Sequence, residues 1–142
     1  MSNVHKRLRK ETELQFLVSA QNLQVELTKF IMSEKNMPKK YRYIIGLGLI
    51  NKVDELVDNL TAANTIYPTN SSEYKQRVYY QTQAIINCWQ LHNKIVRIIL
   101  CIDTAKIQKL EKVAELLVDT EGLIKQWKKS DKERYKLFVE KL

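Results

Sequence analysis

The stretch MPKKYRYIIGLGLINKVDELVDNLTAANTIYP, residues Met37–Pro68, decides the fold. It opens on a turn signal, Pro38 followed by Lys39 and Lys40, and closes on Pro68. Between them Leu49, Val53, Leu56, Leu60, Ala63 and Tyr67 recur at steps of four and three. That is the spacing of one helix face; a strand would alternate. Asp54, Glu55 and Asp58 fall off that face. Pro68 cannot extend the hydrogen-bond ladder, and it biases Tyr67 out of the helical region. The pattern predicts one helix over 40–67, on the order of 40 Å long at about 1.5 Å per residue. A helix of that length needs equally long partners beside it.

The partners lie on either side. A first helix is expected over 10–34, with Phe16, Ala20, Leu23, Leu27 and Phe30 on its main stripe. A thinner stripe of Leu14, Val18, Val25 and Met32 points the other way, since positions 16 and 18 differ by about 200°. A lone bundle helix needs only one apolar face, so the second stripe reads as a contact between subunits. After the turn Pro68–Ser72, with Asn70 or Ser71 able to cap, a third helix is expected over 72–102. Its seam reads Tyr74, Val78, Gln81, Ile85, Cys88, His92, Ile95, Ile99 and Ile102. The segment IVRIILCI, Ile95–Ile102, is apolar nearly all round apart from Arg97, so Val96 and Leu100 join the expected subunit contact. Asp103 or Thr104 caps a fourth helix over 105–128, with Ile107, Leu110, Ala114, Leu117, Ile124 and Trp127 inward and Glu121 on the seam. Residues 129–142 form a charged extension.

The 142 residues suit one domain with a sizeable core. Three glycines and two prolines argue for few, long helices rather than many turns. The fold class expected is all-α: an antiparallel up-down-up-down four-helix bundle joined by short connections. Cys88 and Cys101 share a helix, separated by about 220° of rotation and nearly 20 Å of rise, and cannot pair with each other. That fits a reducing compartment. The basic opening MSNVHKRLRK lacks the apolar core of a signal peptide, and no run reaches membrane-spanning length. A cytoplasmic chain without a membrane partner is expected.

Lysine and arginine total 24 against 16 acids, a formal charge of +8. Such a balance favours a polyanionic partner, nucleic acid before membrane. An up-down topology places both termini beside the Pro68 turn. That end gathers Lys6, Arg7, Arg9, Lys10, Lys125, Lys128, Lys129 and Lys132, with Lys75 and Arg77 nearby and Asp131 among the opposing acids. The opposite end carries Lys39, Lys40 and Arg42 on a turn. These two sets are the candidate phosphate contacts, and they imply salt-sensitive binding without sequence reading. Tyr41, Tyr43 and Trp127 beside them can stack on bases or finish the core.

The catalytic inventory is thin. His5 and His92 are the two histidines, which leaves little for acid–base work. Cys88 and His92, four apart, make half a zinc site with no second ligand pair. The arginine nearest before His92 is Arg77, fifteen residues back, so the Arg–His pattern of small helical ribonucleases is missing. Gly46 and Gly48 follow no strand and form no phosphate loop; they are expected to let another helix approach. No catalytic residue, metal or cofactor is assigned.

Met37–Gly46, Met-Pro-Lys-Lys-Tyr-Arg-Tyr-Ile-Ile-Gly, followed by an acidic-apolar helix ending in Ala63-Asn64, resembles the accessory variability determinant (Avd) family of diversity-generating retroelements. These are four-helix bundles related to proteins encoded in ribosomal RNA intervening sequences. The resemblance runs from about Phe16 to Trp127. It implies a non-enzymatic accessory subunit, a homopentameric barrel of bundles that associates with a reverse transcriptase and template RNA and supports mutagenic complementary-DNA synthesis. Two alternatives stand beside it: an intervening-sequence protein of unclear role, and a small helical RNA-binding or toxin–antitoxin partner. The extension after Lys128 departs from the family core.

Overall fold

The structure, a computed structural model, describes residues 14–102 and 107–140, with the side chain of Ile107 excepted. Every regular element among them is helical: α1 (Gln15–Met32), α2 (Lys39–Tyr41), a π-turn (Arg42–Gly46), α3 (Leu47–Thr65), α4 (Ser71–Cys101), α5 (Ile107–Arg134) and α6 (Lys136–Val139). The fold is all-α and bundle-like. α1 packs on α3 and α5, and α4 packs on the same two. The expected cap at Asp103 or Thr104, the inward Ile107 side chain and a start of the first helix at residue 10 lie outside the described residues.

The spacing arguments hold for α1 and α3. Phe16, Ala20, Leu23, Leu27 and Phe30 are buried, as are Leu49, Val53, Leu56, Leu60 and Ala63. Tyr67 is a correction: it is 74% exposed, because α3 stops at Thr65 and Ile66 is already extended, with φ −92° and ψ 113°. The helix thus ends before the residue that Pro68 restricts, and the Ile66 carbonyl accepts from Arg77 Nη1 at 2.8 Å instead of continuing the ladder.

The helix expected over 40–67 is not one regular rod. It begins with α2 behind Pro38, passes through the π-turn and only then becomes α3. Gly46 closes the π-turn at a crowded point. A Cβ there would lie 2.9 Å from Met37 Sδ and 3.1 Å from Ile31 Cγ2. Arg42 ties the turn to the chain before it, donating to the carbonyls of Met32 (3.1 Å) and Met37 (3.4 Å). Gly48 meets only an ordinary contact, Lys94 Nζ at 3.6 Å.

In α4 the seam is rotated from the expected one. Tyr74, Gln81, Cys88, Ile95 and Ile102 point inward as read, but the alternate positions are Arg77, Ala84, Leu91 and Ile98. Val78, Ile85 and His92 are half-buried and Ile99 is 49% exposed. The expected pattern avoided the charged Arg77; the molecule buries it. Asn70 caps α4, accepting from Glu73 N at 2.9 Å. The Glu73 carboxylate answers by accepting from Thr69 N (3.1 Å) and Asn70 Nδ2 (3.0 Å), a reciprocal cap.

α5 runs six residues past the expected end at 128. Leu110, Leu117 and Ile124 face in as read, together with Val113, Thr120, Glu121 and Asp131. Ala114 and Trp127 are half-buried, and Trp127 stacks on Phe16 with centroids 3.8 Å apart. Glu121 finds its partner one turn on, Lys125 Nζ at 3.1 Å. α6 folds the extension back onto α4: Ser71 Oγ donates to Phe138 O at 3.2 Å, and Tyr74 meets Tyr135 at 5.7 Å. Among the described residues no helix is long and apolar enough to cross a membrane.

Candidate nucleic-acid interface

The two expected cation sets fare differently. On the turn, Lys39 is 80% exposed and pairs loosely with Glu34 at 3.8 Å. Lys40 lies over the Tyr41 ring, 4.9 Å from its centroid. Both ammonium groups remain accessible to a ligand. Arg42 is half-buried and donates to the Met32 and Met37 carbonyls, so its guanidinium also holds the turn.

At the other end, Lys6, Arg7, Arg9 and Lys10 lie outside the described residues. Lys125 is paired with Glu121. Lys128 is half-buried and donates to Thr82 Oγ1 at 3.1 Å. Lys129 and Lys132 are exposed. Arg77 and Asp131 leave the surface account altogether. Arg77 Nε and Nη2 reach the two carboxylate oxygens of Asp131 at 2.7 and 3.1 Å. Gln81 Nε2 adds 2.6 Å, and Arg77 Nη1 donates to Ile66 O at 2.8 Å. Asp131 is wholly buried and Arg77 is 3% exposed. Trp127 and Tyr135 cover the guanidinium, at 4.9 and 5.6 Å. Burial first and the Asp131 charge second push the Tyr74 phenol above its ordinary value. The one signal for this cluster was Gln81 on the seam, a polar group that needed a partner.

The expected subunit-contact residues stand out from the surface. Val18, Val25 and Met32 are 50, 48 and 70% exposed on α1, with Leu14 half-buried before them. On α4, Val96 and Leu100 are 50 and 76% exposed, and the row continues through Trp89, Ile86 and Tyr79. Residues 79, 86, 89, 93, 96 and 100 keep heptad steps, interrupted by Asn93. These apolar rows lie on the sides of α1 and α4 turned away from their buried seams.

Cys88 carries no reactive thiolate. Burial first, then the Glu121 carboxylate, pushes its thiol up to about 12. His92 is half-buried, its ring 6.1 Å from Trp89. Among the described residues no three His, Cys, Asp or Glu side chains are grouped to hold a metal ion.

No family model matches this chain, and neither does any curated protein or solved structure.

Proposed function

We propose that this chain is a non-enzymatic accessory subunit of a diversity-generating retroelement. In this reading it is an antiparallel up-down-up-down four-helix bundle, assembled as a cytoplasmic homopentamer. The assembly holds template RNA beside a reverse transcriptase and supports mutagenic complementary-DNA synthesis. Cross-helix pairs support the antiparallel arrangement. Thr82 meets Lys128 while Arg77 meets Asp131, and Arg77 meets Ile66 while Asn87 meets Asn59. In each pairing one number falls as the other rises.

The observation that carries the reading is the pair of exposed apolar rows on α1 and α4. α1 and α4 each contact α3 and α5, so the two rows stand on different sides of the chain. A row on one copy meeting the other row on the next is a heterologous contact, which closes into a ring when the rotation per step allows. Five copies is what the Avd resemblance implies. Accessible Lys39, Lys40, Lys129 and Lys132 repeated around such a ring multiply weak phosphate contacts into useful avidity.

The test is purification alone and together with the reverse transcriptase and template RNA of its retroelement. Light scattering is expected to give about five times the 16.8 kDa chain mass. Complementary-DNA synthesis is expected to depend on the added chain. A particle of single-chain mass that leaves synthesis unchanged would overturn the proposal.

A further inference from the structure

We propose that the groove between α3 and α4 is a phosphate-backbone track for RNA, continuing from the Lys39–Lys40 turn through Arg97 and Lys94 to Lys52. This rests on the RNA-binding part of the function proposed above and extends it to residues outside both expected cation sets. The groove holds about 380 Å³ and is lined by Lys52 of α3 with Gln90, Asn93, Lys94 and Arg97 of α4. Gln90, Lys94 and Arg97 step by four and three, so they share one helix face.

Contacts settle how the two helices face each other along it. Arg97 Nη2 reaches the Ile44 carbonyl at 3.4 Å. One turn further along, Lys94 Nζ lies 3.6 Å from where a Gly48 Cβ would stand. Lys40, Ile44, Gly48 and Lys52 follow one another at steps of four. The stretch from Lys40 to Lys52 passes through α2, the π-turn and the start of α3, and even with its irregular turn it spans on the order of 15 Å, room for more than one phosphate.

The charge is unbalanced in favour of an anion. Lys52 Nζ is paired with Glu55 at 2.8 Å, and Asn87 Nδ2 reaches the same carboxylate at 3.3 Å, so the uncompensated charge in the groove is that of Lys94 and Arg97. Lys94 has neither a hydrogen bond nor an ion pair among the described residues, and Arg97 makes only its long bond to Ile44. Two cations about 4.5 Å apart along one helix, with the Asn93 amide beside them, suit an anionic ligand. Lys94 and Arg97 are suited to the backbone and independent of sequence, while the Gln90 and Asn93 amides beside them can also meet base edges.

The experiment is fluorescence anisotropy of labelled oligouridylate and oligoadenylate over a range of salt, with three proteins. These are the wild type, Lys94→Gln/Arg97→Gln and Lys129→Gln/Lys132→Gln. The groove variant is expected to bind both RNAs at least about tenfold more weakly. Its salt slope is expected to fall by about 1.4, at about 0.7 per single-strand contact. Arg97→Gln alone gives up only the long bond to Ile44, and is expected to lose half of that slope with the helical circular dichroism unchanged. Wild-type affinity and slope in the groove variant, with loss in the Lys129/Lys132 variant, would overturn the track and leave RNA binding standing. Failure of the wild type to bind either RNA would overturn both. Loss on one RNA but not the other would overturn the backbone assignment.

Discussion

Arg77 and Asp131 form a two-pronged ion pair, 2.7 and 3.1 Å, sealed between α4 and α5. The pair explains why α5 keeps its helical course through the charged run Lys128–Arg134. A buried carboxylate needs its partner, and reaching Arg77 fixes that part of α5 against α4. Removing one partner leaves an uncompensated buried charge, at a cost of about 3–5 kcal/mol. Asp131→Ala is therefore expected to lower the urea unfolding free energy by that amount. Arg77→Met/Asp131→Leu is expected to cost clearly less than the two single changes added together. Equal and additive losses in urea melts would contradict the pairing.

Gly46 and Gly122 make opposite predictions from the same residue type. Gly46 faces Met37 Sδ at 2.9 Å and Ile31 Cγ2 at 3.1 Å, whereas a Cβ at Gly122 would meet nothing within 4 Å. Gly122→Ala removes backbone freedom inside α5 and is expected to raise stability by about 0.5–1 kcal/mol. Gly46→Val must push Ile31 aside as well as the more adaptable methionine, and is expected to cost about 1–3 kcal/mol. Thermal melts of the two variants should shift in opposite directions.

The cap at the start of α4 carries a pH signature. The hydrogen bonds from the Thr69 side chain and backbone hold the Glu73 carboxyl below its ordinary value of 4.5. A depressed folded-state value means the stabilising contribution is complete above the unfolded value and is lost as pH falls through the folded one. Glu73→Gln is thus expected to be less stable than wild type near neutrality, with the difference vanishing in acid below pH 4.5. Asn70→Ala is expected to cost about 1 kcal/mol near neutrality, and part of that loss persists in acid, because the bond from Glu73 N to Asn70 Oδ1 does not titrate whereas the bond from Asn70 Nδ2 to the Glu73 carboxylate does. Denaturant titrations across the acid range separate the two.

The sequence carried the helices more clearly than their rotations. Phe16 to Phe30 and Leu49 to Ala63 were legible because every inward position is apolar. In α4 the same four-three arithmetic fitted two seams, one through Val78, Ile85 and Ile99 and one through Arg77, Ala84 and Ile98. Hydrophobicity alone favours the first. The choice is made by Asp131, 54 positions after Arg77, and periodicity holds no information at that range. The close approach of Met37 and Ile31 to Gly46 at the end of the π-turn was hidden for a related reason: it is a tertiary contact. Of the candidate site, Lys39 and Lys40 were readable as exposed turn cations. Arg42 was readable as a turn cation too, but its hydrogen bonds to the Met32 and Met37 carbonyls were not, because they depend on where α1 ends.

The two cysteines test the packing of α4 without any substitution. Cys88 is buried with its thiol pushed up to about 12, so its nucleophilic thiolate is scarce as well as covered. Cys101, thirteen residues on, is exposed. A disulfide reagent at neutral pH is expected to modify one thiol per native chain quickly and the second only as fast as the chain unfolds. Denaturant should expose both. If the outer row on α4 is sealed between copies, Cys101, next to Leu100, should react more slowly as protein concentration rises. Val96→Glu is then expected to restore the fast rate and to reduce the light-scattering mass, with helicity retained. A Cys101 rate indifferent to concentration and to Val96→Glu would argue against the α4 row as a subunit contact.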